Sequence, residues 1–305
     1  MTRLAAPFPM LFVTRTIQGL ALASMLLGCS AGASGNGSDG GGGAGAGTGA
    51  GGTTTTPTGA GGGLGGGLNV GGGEPIVAEV FGHSADTLYK LDPLTKAVTV
   101  VGSFVGCSGV LDLAVDKDHN IYGTTSAGVY RIDKLSAQCT LLYSDDYPNS
   151  LSFVPEGTVD ASQEALVGYL DSDYVRIDTS SGSITTIGSI SGGYVSSGDI
   201  VSVIGGSTYL TVKGMECDTT DCLFEIDPTT GDMIKNWGHV PYDDVFGLAY
   251  WGGQAYGFTN GGDLFEITFG QNDVTTAAIT IPGAPSDLSF WGAGSSTSAP
   301  LEIPD

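Results

Sequence analysis

The chain has 305 residues, with 32 acidic and 10 basic side chains and a formal net charge of −22. An excess of that size disfavours nucleic acid and anionic lipid headgroups as direct partners, and suits solubility, cationic ligands or divalent metals. Glycine fills 52 positions and charged residues make up only 14%, so segments of different character are joined in one chain.

Residues 1–28 carry Arg3 and Arg15, no acid, and an apolar run that closes as Leu26-Leu27-Gly28-Cys29. A basic start, an apolar stretch shorter than the ~20 residues that span a bilayer, and a small residue before a cut describe an export signal. The closing residues resemble the lipobox of bacterial lipoproteins. That resemblance implies cleavage before Cys29, a lipid on Cys29, and a membrane partner reached through that lipid. Ser30 then implies delivery to an outer membrane. An ordinary secretory signal with an incidental cysteine is the alternative.

Residues 29–75 are low-complexity, and positions 32–73 hold 22 of the glycines. Such a segment buries too little to offset its ordering entropy and is expected to be a disordered tether. Its r.m.s. span is about 35–40 Å, at roughly 5–6 Å × √n. No Gly-Lys-Ser/Thr accompanies the glycines, which disfavours a phosphate loop.

From residue 76 the character changes. LYKLDPLTKAV begins at Leu88, VYRIDKLSAQC at Val129, YVRIDTSSGSI at Tyr174, LFEIDPTTGD at Leu223 and LFEITFGQNDV at Leu264. The anchors Asp92, Asp133, Asp178, Asp227 and Thr268 stand 41, 45, 49 and 41 residues apart. Each copy alternates apolar residues, then turns, then resumes a β-rich run, which is a hairpin pattern. Asp before Pro-x-Thr-Gly is turn chemistry, and four anchoring aspartates argue for geometry rather than catalysis. A second run precedes each hairpin: LDLAVD at 111–116, SLSFV at 150–154, DIVSV at 199–203, GLAYW at 247–251 and DLSFW at 287–291. A third short β run lies between them, as in VFGHS and IYGTT.

Four strands per 40–45 residues is the content of a β-propeller blade. The repeats resemble those of extracytoplasmic bacterial propellers, of the quinoprotein-like and NHL-like kind. The predicted fold is all-β: a five-bladed propeller of four-stranded antiparallel blades over residues 76–291. Strand 287–291 would complete the first blade, so that N- and C-terminal strands share it. Residues 292–305 are then a tail.

Five cysteines leave four to pair once Cys29 is lipidated. Three pairings exist. Cys217 and Cys222 bracket a loop that a local bridge could close, and Cys107 would then meet Cys139. Asp116-Lys-Asp118-His-Asn120 opens like a calcium loop, but Ile121 and Ala127 occupy its sixth and twelfth positions, so a hairpin turn is expected. His83 is expected to be packed, and Trp237, Trp251 and Trp291 to serve packing.

Propeller ligands usually sit at the central funnel, where the inter-blade loops meet. Those loops bring Tyr147, Tyr194, Tyr242, Asp243 and Asp244, and Asp112, Asp199 and Asp287 open the inner strands. The expectation is an acidic, tyrosine-rimmed funnel that binds a glycan or a protein, with calcium as a candidate ion. No catalytic residue is assigned. The competing class is a carbohydrate-active hydrolase using two of these aspartates, which needs an acid and a base at a set separation.

Overall fold

The computed structural model describes residues 77–304. The signal segment, Cys29 and the tether lie outside the described residues. Five four-stranded antiparallel sheets form a ring. Blade 1 contains β1 (Val80–His83), β2 (Thr87–Asp92) and β3 (Ala97–Ser103). Blade 2 is β4 (Val110–Val115), β5 (Ile121–Thr125), β6 (Gly128–Ile132) and β7 (Cys139–Tyr143). Blade 3 is β8 (Leu151–Val154), β9 (Ala165–Leu170), β10 (Asp173–Ile177) and β11 (Ile184–Ser189). Blade 4 is β12 (Val195–Ser202), β13 (Thr208–Lys213), β14 (Cys222–Ile226) and β15 (Met233–His239). Blade 5 is β16 (Val245–Trp251), β17 (Gln254–Thr259), β18 (Leu264–Phe269) and β19 (Val274–Ala278). The innermost strand of blade 1 is β20 (Gly292–Ser295), paired with β1.

Closure by a shared blade is as the repeats predict, but the closing strand is not residues 287–291. Those residues form no strand, and the ladder runs Val80↔Ser295 to His83↔Gly292. The reason is space. β20 is buried at all four positions. A Cβ at Gly292 would collide with Asp112 Oδ1, and one at Gly294 would lie 2.8 Å from Leu113 Cδ1. Only a strand of small residues passes there, whereas Asp287-Leu-Ser-Phe-Trp carries the alternation of a strand without the fit.

Residues 292–305 are therefore no tail. After β20 the chain crosses the side of the ring where the inner strands end. Ser296 Oγ donates to the Asp116 carbonyl at 2.8 Å and Ser298 Oγ to that of Lys117 at 3.1 Å. Thr297 Oγ1 donates to Glu164, the Ile204 N–H donates to the Thr297 carbonyl, and the Gly252 N–H to that of Pro300. Blades 2 to 5 are thus strapped by one segment. The chain also enters on this side: Trp251 Nε1 donates to the Val77 carbonyl at 3.2 Å.

The repeated aspartates are turn residues. Asp227 Oδ1 accepts the Thr229 N–H at 2.8 Å, and Asp133 and Asp178 hold their turns in the same way. Hydrogen bonds from Thr229, Ser136 and Ser180 keep the Asp227, Asp133 and Asp178 carboxyls below their usual range. The turns also join blades, since sheet twist carries each one onto the preceding blade. Tyr169 Oη donates to the Gly231 carbonyl and Tyr174 Oη to that of Pro228. Gly231 has φ +71°, and a Cβ there would stand 2.5 Å from the Tyr174 ring. The Asp116 stretch is the expected hairpin turn: Asp116 Oδ1 accepts the N–H groups of Asp118 and Asn120.

Two disulfides form, Cys107–Cys139 and Cys217–Cys222. The first ties the exit of blade 1 to the outer strand of blade 2.

Gly292→Val is expected to destabilise by about 1–3 kcal/mol or more through overpacking, while Asp287→Ala, an exposed change, stays within about 0.5 kcal/mol. Paired thermal melts check this contrast; strand pairing by 287–291 would reverse it. Gly231→Ala is expected to cost about 1–2 kcal/mol from its left-handed backbone alone, read in urea titrations.

Candidate functional site

The inner strands converge at the axis and start on the same side of the ring. Aligned by their apolar runs, they place Asp112, Ser150, Asp199, Gly247 and Gly292 in one layer. One residue earlier stand Leu111, Asn149, Gly198, Phe246 and Trp291. With Asn260 these five line a cavity of about 240 Å³ at the mouth of the axis. Each blade contributes one of the five. The cavity opens on the side opposite the entry of the chain.

The layer beneath is closed. Asp112 and Asp199 are fully buried. Asp112 Oδ1 accepts the Leu113 N–H at 2.8 Å, and Oδ2 accepts that of Leu151, in the next blade, at 2.6 Å. Asp199 repeats the pattern two blades further on: Oδ1 accepts from Ile200 at 2.6 Å and Oδ2 from Leu248 of blade 5 at 2.5 Å. These carboxyls stitch blade 2 to blade 3 and blade 4 to blade 5. Gly292 leaves the room that Asp112 fills, and Gly247 lets β20 pass close by.

Burial pushes the Asp112 carboxyl well above its usual range, and the negative Asp199 adds to the shift. Burial likewise raises Asp199, against the N–H groups of Leu248, Ile200 and Ala293. Both carboxyls are therefore biased toward the protonated form. His83 is packed as expected, with Nδ1 2.9 Å from the Ser84 carbonyl and Nε2 4.0 Å from Asp112 Oδ1. Burial lowers its pKa to about 4, so the imidazole is neutral at pH 7.

The residues read as a funnel rim are not together. Tyr147 is buried, and its hydroxyl donates to the Gly182 carbonyl in the turn of the next blade at 2.9 Å. Tyr194 packs edge-on against Phe224, with ring centroids 4.8 Å apart. Tyr242 stacks on Phe265 at 3.9 Å. Asp243 and Asp244 both pair with Lys213. None of these five lines the axial cavity. Asp287 is exposed and lines a neighbouring cavity of about 300 Å³ with Ser84, Asp86, Thr87 and Tyr89. Trp291 lines both cavities. Sequence reasoning missed Phe246, Asn149 and Asn260, and assigned Trp291 to packing. Their signal was register: each of the inner-strand residues precedes the buried one.

A third cavity, of about 640 Å³, lies across the ring by His119, Arg131 and Lys134. Its charges are matched internally, Lys134 to Glu79 at 2.7 Å and Arg131 over the Tyr122 ring at 4.6 Å. Among the described residues no group of three or more His, Cys, Asp or Glu side chains is arranged to hold a metal ion. Among them, too, no helix is long and apolar enough to cross a membrane.

No family model matches the chain, and no curated protein matches it. Solved structures are similar at low identity. One is a symmetrical protein studied for its de novo evolutionary emergence under folding constraints. It is 16% identical over 74% of this chain and 99% of its own, with a TM-score of 0.47. A protein of unknown function from Bacteroides caccae is 13% identical over 70% of this chain and 76% of its own, with a TM-score of 0.37. A Lactobacillus plantarum protein is 12% identical over 69% and 68%, with a TM-score of 0.35. At these values no functional argument follows.

Because the folded pair binds a proton more tightly than the unfolded chain, it favours folding fully below the unfolded carboxyl pKa, 3.8, and that contribution is lost as pH rises toward the raised folded value. The stability of the wild type relative to Asp112→Asn should therefore fall with pH above about 4. The slope approaches ~1.4 kcal/mol per pH unit for each proton retained. Urea denaturation of both proteins from pH 3 to 8 measures it, and a pH-independent difference would contradict the raised carboxyls.

Proposed function

We propose that this chain is a non-enzymatic binding module of the bacterial cell envelope, exported and lipid-anchored through Cys29, that takes a small ligand in its axial cavity. One observation carries the binding reading. Every blade places a residue in a cavity lined by aromatic, aliphatic and amide groups, while the carboxyls beneath are consumed by the fold. Such a mix of apolar walls and a few polar groups is the usual makeup of a ligand site.

Hydrolysis is less well supported. Glycosidase carboxyls stand about 5–5.5 or 6.5–9.5 Å apart with access to substrate. Asp112 and Asp199 are fully buried and occupied at all four oxygens by backbone N–H groups. The envelope assignment rests on two supports: two disulfides suit an oxidising compartment, and Leu26-Leu27-Gly28-Cys29 has the form of a lipobox.

The test is a thermal melt of the full chain against neutral saccharides, quaternary ammonium ions and amino acids. Calcium and EDTA arms report any divalent-cation site, which would also revive the surface carboxylates as ligands. A true ligand at 100 Kd adds about 2.7 kcal/mol, a rise of roughly 5–10 °C for a domain of this size. The rise should saturate, occur without turnover and vanish in Phe246→Ala. A rise that survives Phe246→Ala would place the site elsewhere.

A further inference from the structure

We propose that the ligand is a neutral glycan of at least two rings that lies across Trp291, with one ring in the axial cavity and the next in the cavity beside it. This rests on the axial reading above. Trp291 is the wall common to both spaces. It is half-buried, and its backbone is pinned, donating its N–H to the His83 carbonyl at 2.8 Å. The preceding residue, Phe290, is anchored to the Thr259 carbonyl. The indole is thus held at the junction of two cavities by the same ladder that closes the ring.

Size argues for one ring on each side. The cavities of about 240 and 300 Å³ hold on the order of eight to ten waters each at ~30 Å³ apiece. Both fall at or below the ~300–1,000 Å³ of sites for larger ligands. An aromatic face offers a flat apolar surface to the C–H side of a sugar ring.

Polarity argues for a neutral polyol. The axial cavity has no charged side chain in its wall. Ser289 Oγ donates to Asn260 Oδ1 at 2.5 Å, which commits the amide oxygen and leaves the Nδ2 hydrogens to be used. Asn149 is exposed, and among the described residues its side chain makes no internal hydrogen bond. Amide hydrogens facing the cavity are poor company for an organic cation. An anion is disfavoured by the carboxyl pair below and by Asp86 and Asp287 alongside. Hydroxyls, which donate and accept, suit both spaces: amides at the axis, and beyond Trp291 the carboxylates, which accept from them in pairs. Asp86 Oδ1 already accepts from Ser84 and Thr87, while Asp287 has no such partner among the described residues and faces the second ring.

The experiment is isothermal titration of the full chain with glucose, galactose and N-acetylglucosamine and their α- and β-linked disaccharides, alongside tetramethylammonium. At least one disaccharide should bind about tenfold or more tightly than its monosaccharide, and Trp291→Ala should abolish both. Asp287→Asn should weaken the disaccharide by about three- to tenfold, the range of one lost hydrogen bond, and leave the monosaccharide unchanged. Equal affinity for one ring and two, or an Asp287→Asn effect shared by both, overturns the two-ring site but leaves the axial one. Binding of tetramethylammonium alone, lost in Phe246→Ala, overturns the glycan and keeps the cavity. No binding by any probe overturns both.

Discussion

Everything in this molecule hangs on four residue pairs between strands that lie more than two hundred positions apart in the chain, Val80↔Ser295 to His83↔Gly292. Until β20 pairs with β1, blade 1 has three strands and a bare inner edge at the axis. The ladder covers it. It also sets Gly292 against Asp112, pins Trp291 to His83, and so finishes both the axis and the cavity above it. The site is a product of closure rather than a feature of any one blade.

Along the axis the chain separates two jobs that look alike in sequence. Aspartates occupy the closed layer, where burial makes their ionisation costly and their oxygens receive neighbouring backbone N–H groups. Uncharged residues occupy the layer above, open to solvent. Asp, Ser, Asp, Gly, Gly around the ring is a steric solution as much as an electrostatic one: a Cβ at Gly292 would collide with Asp112, and one at Gly247 with the backbone of β20. An acidic protein thus carries an uncharged cavity at its centre.

The repeat was legible because turn chemistry is local. Asp followed by Pro-x-Thr-Gly dictates its turn wherever it falls, and the blade count follows from the spacing. The Cys217–Cys222 bridge was within reach of spacing, and Cys107–Cys139 was one of the pairings left open. The closing strand was not within reach, because Gly-Ala-Gly-Ser has no strand preference of its own and is placed by what surrounds it. The residues lining the axial cavity stand one position before the aspartates that the sequence singled out. In a strand a single step reverses the face, so Asp112 and Asp199 turned inward and their predecessors met the cavity. Tyr147, Tyr194 and Tyr242 could be located only once the neighbouring surfaces were known. Tyr147 bonds to the Gly182 turn of the next blade, a partner 35 positions away.

The position of β20 gives the protein a particular order of assembly. Synthesis begins blade 1 first and completes it last, so β1 presents an open edge while the other four blades form. Loop-closure entropy rises with the length of chain spanned, and no other strand pair in the ring spans as much chain. During that interval β1 can accept the final strand of a second molecule as readily as its own, since every pair in the ladder would be identical. Exchange of this kind yields an interlocked dimer with no new interface chemistry. The short run that completes a monomer is then also the place where two copies would become entangled, and slowing its arrival would favour the pair over the single ring.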